Sequence, residues 1–329
     1  MKKLALLFSL LAGFLFLPQV TTHAAGAGFT AAPIMPSNQN PKQTGYFDIE
    51  PKAGSTQTLS LRLQNTSNTN QHVTVTPTDS FSQDNGVIGY TPNTNVHPTD
   101  APVLSKMTTK AQSITLKPKA TQDVHFKVTI PKSGFTGRIL GAFYVLGDVQ
   151  KNADSQSAGF SLQNRFAMVI GVQLRSKTSS KPNLALNNAT VKTVDGKVNF
   201  VANIDNLQSD YFKDLKLDVT VKSKKHTYKR NVTKYGMAPN SRLSFLIPTN
   251  VSNLPAGTYR MNVTATTQKK TWHFMRDITV KNGEVTHSKV VKAVTKPNSF
   301  PTALAVVIGL IVVVLAGGGW WLSQRRKQH

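Results

Sequence analysis

The chain has 329 residues and carries 39 lysines and arginines against 15 acids, a formal net charge of +24 at neutral pH. It has no cysteine, which excludes a disulfide framework and a thiol-linked lipid anchor, and leaves any zinc site dependent on carboxylates and histidines.

Lys2 and Lys3 precede an apolar run from Leu4 to Leu17, followed by Pro18 and the small-residue stretch Thr22-His23-Ala24-Ala25. This order predicts a secretory signal peptide over residues 1–25, cut after Ala24 or Ala25. An exported chain is not expected to meet nucleic acid.

Beyond it, apolar residues alternate with period two. Leu59, Leu61 and Leu63 share one face of Thr58–Leu63, and Val124, Phe126, Val128 and Ile130 share one face of Asp123–Ile130. The same alternation places Leu215, Leu217, Val219 and Val221 together, then Tyr259, Met261, Val263 and Ala265. Such segments predict half-buried antiparallel strands, separated by turns at Asn85-Gly86, Asp195-Gly196, Pro255-Ala256-Gly257 and Asn282-Gly283. The pattern predicts an all-β chain of two tandem immunoglobulin-like β-sandwiches, over residues 28–150 and 157–283. The boundary is placed in the polar stretch 151–159. Phe166–Leu174 reads as a central strand that either sandwich could own.

A linker is expected over residues 284–301. Thr302–Leu322 is free of charge and long enough, at about 1.5 Å per residue, to cross a membrane as a helix. Trp320 and Trp321 stand at its end as interfacial residues, and Arg325, Arg326 and Lys327 follow in the tail 323–329. By the positive-inside rule this predicts a single-pass cell-membrane protein with its N-terminus outside and C-terminus in the cytoplasm. Lys296-Pro-Asn-Ser-Phe-Pro301 precedes the run where a wall-sorted protein would carry Leu-Pro-x-Thr-Gly, so the chain is expected to stay in the membrane.

Charge is uneven along the exported part. Residues 26–150 hold 10 basic and 7 acidic side chains, whereas residues 151–301 hold 24 and 8. The second half is therefore expected to meet anionic partners, with Lys222, Lys224, Lys225, Lys229 and Arg230 crowded on one predicted hairpin. Signals for chemistry are weak. No two histidines stand at ligand spacing on a helix, and no nucleophile elbow or phosphate loop occurs. Asp48 and Glu50 share a strand face, but with Lys42 and Lys52 nearby they read as surface ion pairs. The expectation is a protein without catalysis, cofactor or metal.

Gly45-Tyr-Phe-Asp-Ile-Glu-Pro-Lys-Ala-Gly54, Leu59-Ser-Leu-Arg-Leu-Gln-Asn65, Asn85-Gly-Val-Ile-Gly-Tyr90 and Ile130-Pro-Lys-Ser-Gly-Phe-Thr-Gly-Arg-Ile-Leu-Gly141 resemble the first domain of WxL-interacting proteins of Gram-positive bacteria. Gly236-Met-Ala-Pro-Asn-Ser241 and Ala256-Gly-Thr-Tyr259 resemble that family's second domain. The resemblance implies a peptidoglycan-binding domain followed by a host-binding domain, on a cell-surface protein that meets WxL-type proteins. It singles out Tyr46, Phe47 and Tyr90, aromatics within the matching segments, as candidates to stack on a sugar. For Phe47 a place in the core is the competing role. Two other readings stand beside this one: a subunit of a wall-remodelling hydrolase, and a chaperone-like sandwich that serves surface assembly through exposed strand edges.

Overall fold

A computed structural model of the chain describes residues 27–92, 96–148, 150–151, 163–281 and 284–294. Each of the four alternating segments forms a strand, and the residues placed on one face are the buried ones. The first half contributes β1 (Phe29–Ile34), β2 (Phe47–Ile49), β3 (Thr56–Asn65), β4 (Gln71–Asp79), β5 (Phe81–Ser82), β6 (Ile88–Gly89), β7 (Gln112–Leu116), β8 (Thr121–Thr129), β9 (Arg138–Gly147), β10 (Gln150–Lys151), β11 (Gln163–Asn164) and β12 (Ala167–Arg175). The second half contributes β13 (Leu184–Val194), β14 (Lys197–Asn206), β15 (Phe212–Lys222), β16 (Thr227–Met237), β17 (Ser241–Pro248), β18 (Gly257–Thr266), β19 (Thr271–Lys281) and β20 (Glu284–Val294). One helical turn, Leu104–Met107, interrupts the strands.

Both halves are sandwiches of the same plan, a three-stranded sheet on a five-stranded one. In the first the sheets run β1-β3-β8 and β2-β12-β9-β4-β7; in the second, β13-β14-β17 and β16-β15-β18-β19-β20. Each encloses its own core. Phe126 lies on Phe143 at 4.6 Å between ring centroids in the first, and Phe200 on Tyr259 at 5.1 Å in the second.

Strand pairing assigns the segment that the sequence left open. Ala167–Arg175 pairs antiparallel with β9 and parallel with β2, and buries Ile170, Val172 and Leu174 in the first core. Sheet membership therefore changes between Arg175 and Leu184 and not within residues 151–159. That polar stretch lies between β10 and β11, which pair with each other. A second correction concerns the linker expected from residue 284: Glu284–Val294 is β20, paired with β19. The signal peptide, the apolar run 302–322, the tail and its Trp320, Trp321, Arg325, Arg326 and Lys327 lie outside the described residues. Among the described residues, no helix is long and apolar enough to cross a membrane.

The two sandwiches are joined by a dense polar seam. The β5–β6 hairpin presents Asp84, whose carboxylate accepts Arg230 Nη1 at 2.8 and 2.9 Å and the Leu246 amide at 2.8 Å. Its backbone carbonyl accepts the Tyr235 hydroxyl at 2.9 Å. Gly86 closes the turn at φ +79°, and a Cβ there would stand 2.6 Å from the Tyr235 ring. Ser82 and Ser241 share a hydrogen bond of 2.6 Å, and the Gly236 amide donates to the Gly86 carbonyl at 2.8 Å. On the other side of the seam, Gly137 approaches so closely that a Cβ would fall 1.8 Å from the Ser209 carbonyl oxygen. Beside it, Arg138 grips both carboxylate oxygens of Asp210 at 2.8 and 2.9 Å.

His97 contributes to the same seam. Its Nδ1 lies 3.1 Å from the Asn240 carbonyl oxygen and its Nε2 3.4 Å from Asp79, which also accepts from Ser105. Facing two acceptors, the ring is fully bonded only as the imidazolium. The bond to Asp79 raises the pKa of His97 above 6.5, against burial and the Lys106 charge. Burial pushes the Asp79 carboxyl up, but bonds from His97 and Ser105 outweigh it and hold the group below 3.8. The His97 contribution is thus complete below about pH 6.5 and is lost as pH rises through its raised value, whereas the Asp79 contribution is lost only under strong acid. Thermal unfolding of the full chain should show stability falling as pH rises above about 6.5, and H97Q should flatten that slope. An unchanged slope in the variant would place the titrating group elsewhere.

Candidate functional site

In a two-layer sandwich the outer face of an antiparallel sheet is ordinarily polar. The outer face of the first five-stranded sheet is polar along β4 and β7, where His72 bonds Thr115 and Thr74 bonds Ser113, but not across β9 and β12. Strand parity sends Leu140, Ala142, Tyr144 and Leu146 of β9 outward, beside Val169, Gly171 and Gln173 of β12, with Val169 paired to Tyr144 and Gly171 to Ala142. Val169 is 46% exposed. At one margin this face becomes a groove of about 470 Å³, within the range of small-ligand sites, lined chiefly by Tyr46, Tyr90, Leu140, Val169, Gly171 and Tyr211.

Tyr46 enters because it precedes β2 on the parity of Asp48 and Glu50. Its neighbour Phe47 points the other way and is fully buried, edge-on to Phe143 at 6.1 Å. Phe47 is therefore a core residue, not a ligand-binding one, by the alternation that exposes Tyr46. Tyr90 follows the β5–β6 hairpin, anchored where the Thr78 hydroxyl donates to its carbonyl at 2.7 Å. Tyr211 comes from the second domain, just before β15, and the Arg138 guanidinium of the first domain stands over its ring at 5.4 Å.

Two of the three phenols carry raised pKa values. Burial, then Asp48 and Tyr211, push the Tyr46 hydroxyl's pKa up, against the Arg175 charge. Burial, then Tyr211 and Tyr46, push that of Tyr90 up. Both hydroxyls therefore stay protonated at neutral pH and can donate hydrogen bonds. Beside the groove Asp48 is 2% exposed and accepts from Asn40 at 2.6 Å, Gln173 at 3.0 Å and Arg175 at 2.7 Å. Burial raises its pKa, but the bonds from Gln173, Asn40 and Arg175 prevail and lower it. The cations beside Asp48 and Glu50 are thus Arg175 and Lys177, not the expected Lys42 and Lys52.

The basic hairpin divides. Lys222 closes β15, Lys224 and Lys225 lie in the turn, and Lys229 points outward from β16, all exposed. Arg230 has the opposite parity. It shares the inner face with Tyr228 and Val232, stacks 4.2 Å from the Phe245 ring centroid and pairs with Asp84. It belongs to the seam and not to the patch. His72 and His125 are exposed and bonded across strands to Thr115 and Ser60. Among the described residues, no three histidines or acids stand close enough to hold a metal. The sequence reading missed Val169, Gly171, Gln173 and Tyr211. Parity along β12 would have marked the outward valine, whereas nothing local marks Tyr211.

Two family descriptions match the chain: the WxL Interacting Protein peptidoglycan binding domain over residues 29–147 and the WxL Interacting Protein host binding domain over residues 157–288. No curated protein matches. Among solved structures, the chain is similar to the class 5 fimbriae chaperone CfaA, with 14% identity, 83% of this chain and 100% of that one covered, and a TM-score of 0.28. It is also similar to the E. coli chaperone DraB (12% identity, 72% and 92% covered, TM-score 0.27) and to PapD-like domain 7 of human CEP192 (10% identity, 50% and 96% covered, TM-score 0.26). At such overlaps none of the three bears on fold or function.

Proposed function

The chain belongs to the WxL-interacting protein family, and on that premise we propose that it is a non-catalytic, membrane-anchored protein of the bacterial cell surface. Its first domain holds peptidoglycan; its second engages WxL-type surface proteins or a host protein. The observation that carries the peptidoglycan assignment is the apolar, tyrosine-edged strip that β9 and β12 turn to the outer face of the first five-stranded sheet, with Val169 exposed beside the groove. Aromatic rings there offer flat apolar area for a pyranose ring, and phenol hydroxyls offer donors to its polar rim. In the second domain, Lys222, Lys224, Lys225 and Lys229 supply a surface for anionic partners. Anchoring rests on the apolar run 302–322 and export on residues 1–25.

Sedimentation with purified, protein-free peptidoglycan tests the reading. The full chain should co-sediment saturably, and the supernatant should gain no soluble muropeptides. Failure to sediment would remove the wall-binding role, and released fragments would replace binding with hydrolysis.

A further inference from the structure

We propose that the glycan subsite is a joint property of both domains: Tyr211 of the second completes a groove that Tyr46 and Tyr90 of the first begin, and the ligand is an uncharged, N-acetylated stretch of glycan strand. The inference rests on the peptidoglycan reading above and specifies where and how that ligand is held.

Three observations converge. First, Tyr211 lines the same groove as Tyr46 and Tyr90, and its phenol perturbs both of theirs. Second, Tyr211 is positioned from the first domain. Asp210, whose carboxylate also accepts the Tyr211 amide at 2.8 Å, is held by both bonds from Arg138, and the same guanidinium covers the Tyr211 ring. The close approach at Gly137 fixes this part of the seam. Third, among the described residues no lysine, arginine or acid lines the groove, and the charges beside it are paired with each other, Arg175 with Asp48 and Arg138 with Asp210. An anionic or cationic ligand would find no unpaired counter-charge there.

The remaining chemistry suits an acetamido sugar. Gly171 leaves part of the lining without bulk, and a Cβ there would already stand 3.3 Å from the Tyr46 Cβ. A pyranose ring can therefore lie against the tyrosines. Protonated phenols donate to an acetamido carbonyl. Gln173 spends its Nε2 on Asp48 and keeps its Oε1 to accept an amide N–H or a hydroxyl.

The test measures full-chain binding to purified peptidoglycan by sedimentation and to chitotetraose, a neutral N-acetylglucosamine oligomer, by calorimetry. Wild type is compared with Y46A, Y90A, Y211A and Y211F, and each variant's unfolding midpoint is recorded. Y211A should weaken both ligands by about tenfold, as Y46A does, because central aromatic contacts of this kind are worth roughly 1–2 kcal/mol. Y211F keeps the ring over Arg138 and should lose only part of that affinity, so a folding defect in Y211A would not leave the question open. Undiminished binding by Y211A and Y211F alongside weakened Y46A would confine the site to the first domain and overturn the joint site while the wall-binding reading stood. Peptidoglycan binding untouched by all four variants would place the ligand elsewhere. A wild-type chain that binds neither ligand would overturn both.

Discussion

A fragment of residues 27–150 will fail to fold, whereas one of residues 27–177 will show strand-rich circular dichroism and a cooperative denaturant transition. The shorter fragment loses β12, which supplies Ile170, Val172 and Leu174 to the first core and pairs with β9 along its whole length. It also loses the sheet partner of β2, so Phe47 and Ile49 have no strand to hold them in place. Removing one large buried aliphatic side chain costs about 2–5 kcal/mol, and a whole domain is stable by only about 5–15 kcal/mol. Three such losses with an open sheet edge exceed the reserve. Cooperative unfolding of the 27–150 fragment would show that β12 is dispensable to the first sandwich.

The same strand explains how far the sequence could be read. Alternation in β3, β8, β15 and β18 is a local signal, and all four were legible with their buried faces. The end of the first sandwich was not, because the polar residues after Lys151 are composed like an interdomain linker while the flanking strands pair with each other. The family descriptions divide the chain in the same place, at 147 and 157, and so assign β12 to the second unit although it is hydrogen-bonded into the first. Only non-local pairing with β2 and β9 reveals its owner.

A comparable limit applies to the site. Tyr46 and Tyr90 were legible as candidates, and the parity that makes Tyr46 an outward residue makes Phe47 an inward one. Tyr211 could not be found in this way, since it reaches the groove across the seam. Three of the six segments that carry the family resemblance fall on that seam. Asn85-Gly-Val-Ile-Gly-Tyr90 forms the clamp hairpin, Gly137-Arg138 the close approach, and Gly236–Ser241 the opposite wall. Those turns lack strand alternation because their glycines and polar groups serve contacts between domains.

Replacing Arg230 will damage the protein differently from replacing the lysines next to it. R230A removes the partner of Asp84, one of the bonds to the Leu246 carbonyl and a cation held over Phe245, in a pair whose side chains are 22% and 34% exposed. Truncating one member of a buried charged pair costs about 3–5 kcal/mol, and partial exposure here brings the expectation to about 2–3 kcal/mol. D84A should cost a similar amount, because it leaves the Leu246 amide without its acceptor and the half-buried Arg230 without its counter-charge. Either change loosens the hairpin that joins the sandwiches, so a single calorimetric unfolding transition should separate into two. The double variant should cost less than the sum of the two single changes, as coupled partners do. By contrast, alanine at Lys222, Lys224 and Lys225 should alter stability by no more than about 0.5 kcal/mol, since these side chains are exposed. Their effect should appear in the binding of an anionic polymer such as poly(glycerol phosphate), which weakens as salt shortens the reach of surface charge to about 10 Å and below. If R230A left unfolding intact and reduced polymer binding as the lysine changes do, Arg230 would belong to the exposed patch, and the clamp would not be what holds the two domains together.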